Sequence, residues 1–341
     1  SLFYFFNLYV MSQVWQRAIY GLMFGWAFLP LFLFLWIKLL EGKKIIRWLG
    51  IFLVLQVVFS YSYSMPNNVF VFWIPAGLYL LIKIFKERKN RKTLARLILI
   101  SFITGILWLI VNIWWVYPLI RLAGNSYAEK TSVNLNLESL RGVSTNFPVS
   151  QIVQLRQKFF FNTANNKETP WGTFYDSPLT VMVSTAGFLV VLWGLIRFRR
   201  SKYFSFLFWI FLIALFISKG TNPPFGLQFY KWLFANFPFT EMFRNSYEKF
   251  GAVFLLPYAV FFGAGVWEIS SRFRKRNSKA LFLILIFAVF FVYLTHPMWY
   301  GEYVFQKYFW VKVPKYYEEV NQFLNKDSSD STVKANSHDE M

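Results

Sequence analysis

Residues 86–119 read KERKNRKTLARLILISFITGILWLIVNIWWVYPL. The stretch 86–96 carries Lys86, Arg88, Lys89, Arg91, Lys92 and Arg96, while 97–119 carries no charge at all. A helix that crosses a bilayer needs about 20 mostly apolar residues. Segment 97–119 is therefore predicted to span a membrane. The basic run before it is predicted to stay on the cytoplasmic side, because short Lys/Arg-rich loops set orientation.

The rest of the chain repeats this pattern. Of its 341 residues, 56% are hydrophobic and 15% charged, against about 25% charged in a soluble domain. Aromatics reach 23%, and the mean hydropathy is +0.40. So little polar surface cannot cover a water-facing globule of this size. The net charge of +20 raises nucleic acid as a partner. That would require basic residues on one folded face. Here they sit in short runs between apolar stretches, and nucleic acid is set aside.

Eight apolar segments are predicted to span: 17–40, 48–63, 69–85, 97–119, 178–196, 203–218, 250–269 and 280–295. The pair 48–63 and 69–85, joined by Met65-Pro66-Asn67-Asn68, also reads as a re-entrant hairpin. Four short connections, 41–47, 83–96, 197–202 and 270–279, hold 19 of the 36 Lys and Arg residues. They alternate with connections that are not enriched, so eight crossings put the basic loops in the cytoplasm and both chain ends outside. The expected fold is an all-α integral membrane protein with about eight transmembrane helices and external amphipathic interfacial helices. Its expected parts are an external N-terminal segment 1–16, a transmembrane domain 17–295, and the start of an external region 296–341. The membrane expected is a bacterial-type inner membrane.

Absences narrow the chemistry. There is no cysteine, and His296 and His338 are the only histidines. Disulfides and thiolate sites are excluded, no metal site is expected, and the cofactor is left open. The acidic residues all lie outside the apolar centres, unlike the buried carboxylates of proton-coupled pumps.

Chemistry is then expected in the external segments. A surface helix is expected at 148–161. The run Thr169-Pro170-Trp171-Gly172-Thr173-Phe174-Tyr175-Asp176 offers Trp171 and Tyr175 as exposed ring faces beside the Asp176 carboxylate, a sugar-binding arrangement. An interfacial aromatic belt before a span has the same composition. In 219–249, Asn222 reads as an N-cap with prolines at the first helical positions. Phe225, Phe229, Trp232 and Leu233 then share one face of an interfacial helix. Arg244 and Lys249 follow, just before a span. They suit a phosphate, with Glu248 between them. Residues that snorkel to anchor a helix end look alike.

The run Gly220…Pro224…Pro238…Phe243-Arg244…Lys249-Phe250 resembles bacterial membrane glycosyltransferases of the C-type superfamily, GT-C, and in particular the alpha-(1→3)-arabinofuranosyltransferase family. Asn7-Leu8-Tyr9 with Gly25-Trp26 and Pro30, and Val313-Pro314-Lys315-Tyr316-Tyr317 with Leu324-Asn325, agree with it. The resemblance implies transfer of a sugar from a polyprenyl-phosphate donor to a cell-envelope glycan on the outer face. With their residue types and position before a span, it points to Arg244 and Lys249 at the donor phosphate, with Glu248 orienting one of them. It also implies an acidic base in the first external loop, whereas residues 1–40 contain no Asp or Glu. With Ser1 lying inside an aromatic run, that loop is expected upstream of Ser1. Two other classes stay open: a transporter or flippase of lipid-linked precursors, which needs a polar path through the spans, and a catalytically silent envelope scaffold.

Reporter fusions test the topology. Fusions within 86–93 and 272–278 are expected to report cytoplasm, and fusions within 160–168 and after 310 the outside. A cytoplasmic signal at 160–168 would overturn it.

Overall fold

The computed structural model describes residues 2–17, 20–123, 133–157, 174–237, 240–273, 277–295 and 315–336. Among them every regular element is helical. Two short helices, α1 (Leu2–Phe5) and α2 (Leu8–Met11), lead into a π-helical turn at Ser12–Arg17. Then come α3 (Tyr20–Glu41), α4 (Ile45–Val58), α5 (Asn68–Glu87) and α6 (Arg91–Ala123). The connecting layer contributes α7 (Val133–Thr145) and α8 (Val149–Val153). The second half holds α9 (Pro178–Phe198), α10 (Phe204–Ser218), α11 (Gly226–Asn236), α12 (Ser246–Phe273) and α13 (Asn277–Thr295). The chain divides into two compact units, 1–300 and 301–341. The second contains α14 (Lys315–Asn336), where Tyr316 and Tyr317 stack at 4.4 Å.

Among the described residues, five helices are long and apolar enough to cross a membrane: Tyr20–Glu41, Asn68–Glu87, Arg91–Arg121, Pro178–Phe198 and Phe243–Arg272. Eight were expected. Two of the other expected segments form shorter apolar helices, Ile45–Val58 and Phe204–Ser218, and the last lies within α13. In the first of these the α-helix stops at Val58 and the chain tightens into a 3-10 turn at Ser60–Ser64. About 21 Å of α-helix and ~10 Å of 3-10 helix together reach the thickness of a hydrocarbon core. The turn that follows is held by Asn68, whose amide donates to Ser62 O at 2.6 Å and Gly21 O at 3.0 Å.

α12 is the axis of the bundle. It packs chiefly on α9 and α10 and also touches α3, α5 and α13. Phe250, Phe254, Tyr258 and Phe261 recur every three or four residues along it and are all fully buried. Phe211 of α10 fits among them, 5.0 Å from Phe254 and 5.9 Å from Phe261. Against α9 the approach is closer still. A Cβ on Gly194 would overlap the Phe261 carbonyl oxygen and lie 2.6 Å from Gly265 N, and one on Gly265 would overlap Val190 O. Small residues allow backbones to touch where apolar burial gives no net drive between helices in lipid. α6, by contrast, leaves Ile98, Phe102, Leu109, Ile113 and Trp114 exposed, as a lipid-facing helix must.

Residues 2–14 are packed into the bundle. Phe3 stacks on Phe262 at 4.1 Å, and Tyr4 donates to Trp26 O at 2.8 Å.

A large side chain at the α9–α12 contact is expected to separate the helices. Gly194→Leu should lower the yield of folded protein and cost about 3 kcal/mol or more. Gly105→Leu, where an added Cβ meets nothing within 4 Å, should be tolerated. Thermal melting in detergent checks both.

Candidate functional site

Several polar elements gather around the first turns of α12. The end of α8 sets the geometry. Leu155 takes φ +58, Arg156 N donates to Gln151 O, and Leu155 N donates to Ile152 O. This is a left-handed helix end of the kind glycine usually provides. A leucine there is strained. Strain of this sort is retained where the surroundings over-determine the residue. Here Leu155 is buried, and the reversal turns Arg156 inward.

The Arg156 side chain is buried and makes three hydrogen bonds. Nη1 donates to Tyr175 O at 2.9 Å and Asp176 Oδ1 at 3.1 Å, and Nε donates to Gln154 Oε1 at 2.7 Å. Burial pulls its pKa below the usual arginine value, and Asp176 opposes that shift. Next to it, Gln157 accepts from Ser12 Oγ and, at 3.0 Å, from Gln13 Nε2. Gln157 Nε2, Gln13 Oε1 and Tyr247 Oη are buried without hydrogen-bond partners. Such atoms are costly unless a water or ligand satisfies them. Tyr247 packs between Tyr9 and Phe147, at 5.5 and 5.4 Å. Tyr9 Oη donates to Glu248 O at 2.7 Å, which ties the N-terminal segment to the start of α12.

The loop between α10 and α11 closes the other side. Gly220, at φ +60, abuts Ser144 Oγ so closely that no side chain fits there. Lys219 Nζ donates to Asn222 O at 3.0 Å and to Pro224 O, and burial lowers its pKa.

The sequence-predicted residues fall as follows. Arg244 is exposed at the end of a 3-10 turn, Thr240–Asn245. Glu248 is buried and accepts from Asn245 Nδ2 at 3.4 Å, and Lys249 is half-buried beside it. Asp176 is half-exposed and paired with Arg156. Tyr175 does not present a free ring face: it is fully buried, and its hydroxyl donates to Leu8 O at 3.0 Å. The reason is its place next to Arg156, where the chain must turn inward. Trp171 lies outside the described residues. Asn222 is not an N-cap. Its amide donates to Ser144 O and Phe147 O, each at 2.9 Å, and the helix begins later, at Gly226. The buried face of that helix is Gly226, Tyr230 and Phe234 rather than the Phe229 side, and Phe225 and Trp232 are exposed. The helix expected at 148–161 is confined to Val149–Val153, and 158–161 lie outside the described residues. Arg156, the best-bonded cation here, was not singled out by sequence. Its one local signal is the polar spacing Gln151, Gln154, Gln157. Among the described residues no group of three or more His, Asp or Glu could hold a metal.

Long apolar helices under a polar, partly unsatisfied layer define a multi-pass membrane protein. The family model for the N-terminal GT-C domain of alpha-(1->3)-arabinofuranosyltransferase matches residues 64–335, and the chain belongs to that family. No curated protein and no solved structure gives a significant match.

Removing the ends of the Arg156 network should have unequal effects. Asp176→Asn, in a half-exposed pair, is expected to cost up to about 1 kcal/mol. Arg156→Ala strands Tyr175 O and Gln154, and should cost about 2–3 kcal/mol. Denaturation midpoints in detergent distinguish the two.

Proposed function

We propose that the chain transfers a sugar from a polyprenyl-phosphate donor to a cell-envelope glycan, at the outer face of a bacterial-type inner membrane. The family membership over residues 64–335 carries this reading. The family's stated activity makes an arabinofuranosyl donor the first to test. The basic connections at the far end of the bundle support an external placement of the polar layer.

In this reading the acceptor hydroxyl attacks the anomeric carbon as the bond from that carbon to the phosphate oxygen breaks. A carboxylate base takes the hydroxyl proton, and the leaving phosphate takes up negative charge. Arg244 and Lys249 stabilise that charge, and the buried Glu248 orients them. Depth supports the assignment. Counting about 20 residues back from Arg272 puts the hydrocarbon edge near Ala252. Lys249 then lies in the headgroup layer, with Arg244 at its margin, where a phosphate with its tail in lipid must sit. Asp176 and Trp171 are proposed on the sugar side. Tyr175, buried next to Asp176 in sequence, ties this stretch to the N-terminal segment through its bond to Leu8.

Arg244→Ala should reduce sugar transfer about a hundredfold or more at an unchanged membrane level. Arg244→Lys, which keeps the charge but loses the bidentate fork, should keep part of the activity. Wild-type transfer rates in both would make Arg244 a membrane anchor only.

A further inference from the structure

Two adjoining cavities open at the end of the bundle that carries the basic connections. One, of about 180 Å³, is lined by Lys83, Lys86 and Glu87 from the end of α5, by Lys202 ahead of α10, and by Glu41 from α3. The other, of about 350 Å³, is an apolar groove along α3 from Pro30 to Lys38, walled by Phe34, Phe198, Leu207 and Leu256. Tyr203 and Phe206 line both. A polar chamber therefore leads into an apolar one past two rings, and Tyr79 braces Phe206 edge-on at 5.0 Å.

The charges in the polar chamber are not balanced internally. Glu41 is engaged by Lys38 at 3.0 Å. Lys83 gives one hydrogen to Leu40 O at 2.6 Å and keeps two more donors. Lys86 and Lys202 are exposed. The Arg96 guanidinium adds a further positive charge beside Gly42, just past the end of α3. Lys83, Lys86 and Lys202 line the chamber against Glu87 and a Glu41 already paired with Lys38, so the chamber favours an anion.

The groove has a matching length. Pro30 to Lys38 rises ~12 Å along the helix, most of one leaflet's half of a ~30 Å hydrocarbon core. The site is remote from Arg244. Phe70, near the start of α5, touches Phe243 at 5.2 Å, and Lys83 lies ~20 Å further along the same helix.

We propose that these cavities form a binding site for an anionic glycerophospholipid of the inner leaflet. Its phosphate is held by Lys83, Lys86 and Lys202, and one acyl chain lies in the groove against Phe34 and Leu207. Basic pockets between helices on the cytoplasmic side select acidic headgroups in this way, and that leaflet supplies them. The bound lipid joins the ends of α3, α5 and α10 to the middle of α12, and so braces the bundle at the end opposite the polar layer.

Native mass spectrometry of the full chain tests this, titrating phosphatidylglycerol into phosphatidylcholine micelles. The wild type should retain phosphatidylglycerol over phosphatidylcholine. Lys86→Gln with Lys202→Gln should weaken that retention about 30-fold, taking a lipid-facing lysine at its typical worth. Arg199→Gln with Arg200→Gln, the same charge loss outside the chamber, should leave it unchanged. If the double variant does not fold, Lys86→Gln alone should still weaken retention about fivefold. Glycerol phosphate, with no tail, should not compete. Equal retention of the two lipids, equal loss in the arginine control, competition by glycerol phosphate, or displacement by polyprenyl phosphate at equal concentration would each overturn the proposal.

Discussion

The contact of two helix backbones at Gly194 and Gly265 sets the position of everything else. With Phe261 and Val190 carbonyls directly opposite these glycines, α9 and α12 cannot shift or rotate against each other without a clash. α12 is thereby fixed as an axis. Its first turns hold Tyr247 and Glu248 in the polar layer, its middle stacks Phe254 and Tyr258 into the core, and Leu256 and Val260 face the apolar groove. In hydrocarbon no water satisfies a backbone that leaves its helix, so an axis fixed at one level is fixed along its whole length.

Polar groups inside the bundle follow the same constraint. Gln56, Tyr63 and Trp108 form a linked set, with Tyr63 Oη donating to Gln56 Oε1 at 2.6 Å and Trp108 Nε1 reaching both at 3.1 Å. The set pins α4 to α6, although α4 is short. Tyr258 Oη donates to Val153 O at 3.0 Å, so α8 reaches down between the helices. That depth is why Arg156 is buried although it lies in a connecting segment.

The apolar helices were legible because a lipid-facing or core helix needs little beyond uninterrupted hydrophobicity, and 97–119 provides it. The shortness of Ile45–Val58 was not, because Phe59 to Ser64 continues with an aromatic at every second position, between serines, while the backbone changes to a tighter turn. Near the candidate site, Arg244 and Lys249 stood out by adjacency to a span. Arg156 did not, because its burial depends on a left-handed leucine that no propensity signals. Asn222 has the side chain of a cap, and tertiary partners, Ser144 and Phe147, took its hydrogen bonds instead. Tyr175 and Asp176 read as a surface pair, whereas the chain folds one under and leaves the other at the rim. Local pattern reports which residues are polar. It does not report which of them a distant segment will claim.

The bond from Tyr9 to the carbonyl of Glu248 joins residues 239 positions apart. Phe3 on Phe262 closes a longer loop, and Tyr175 on Leu8 one of 167 positions. Synthesis proceeds at about 5–20 residues per second, so residues 2–14 wait roughly 12–50 s after they are made before the wall they pack against exists. For that interval their apolar side chains must be housed by the lipid interface or the insertion machinery. Residues 2–14 are thus among the last parts of this bundle to reach their native place.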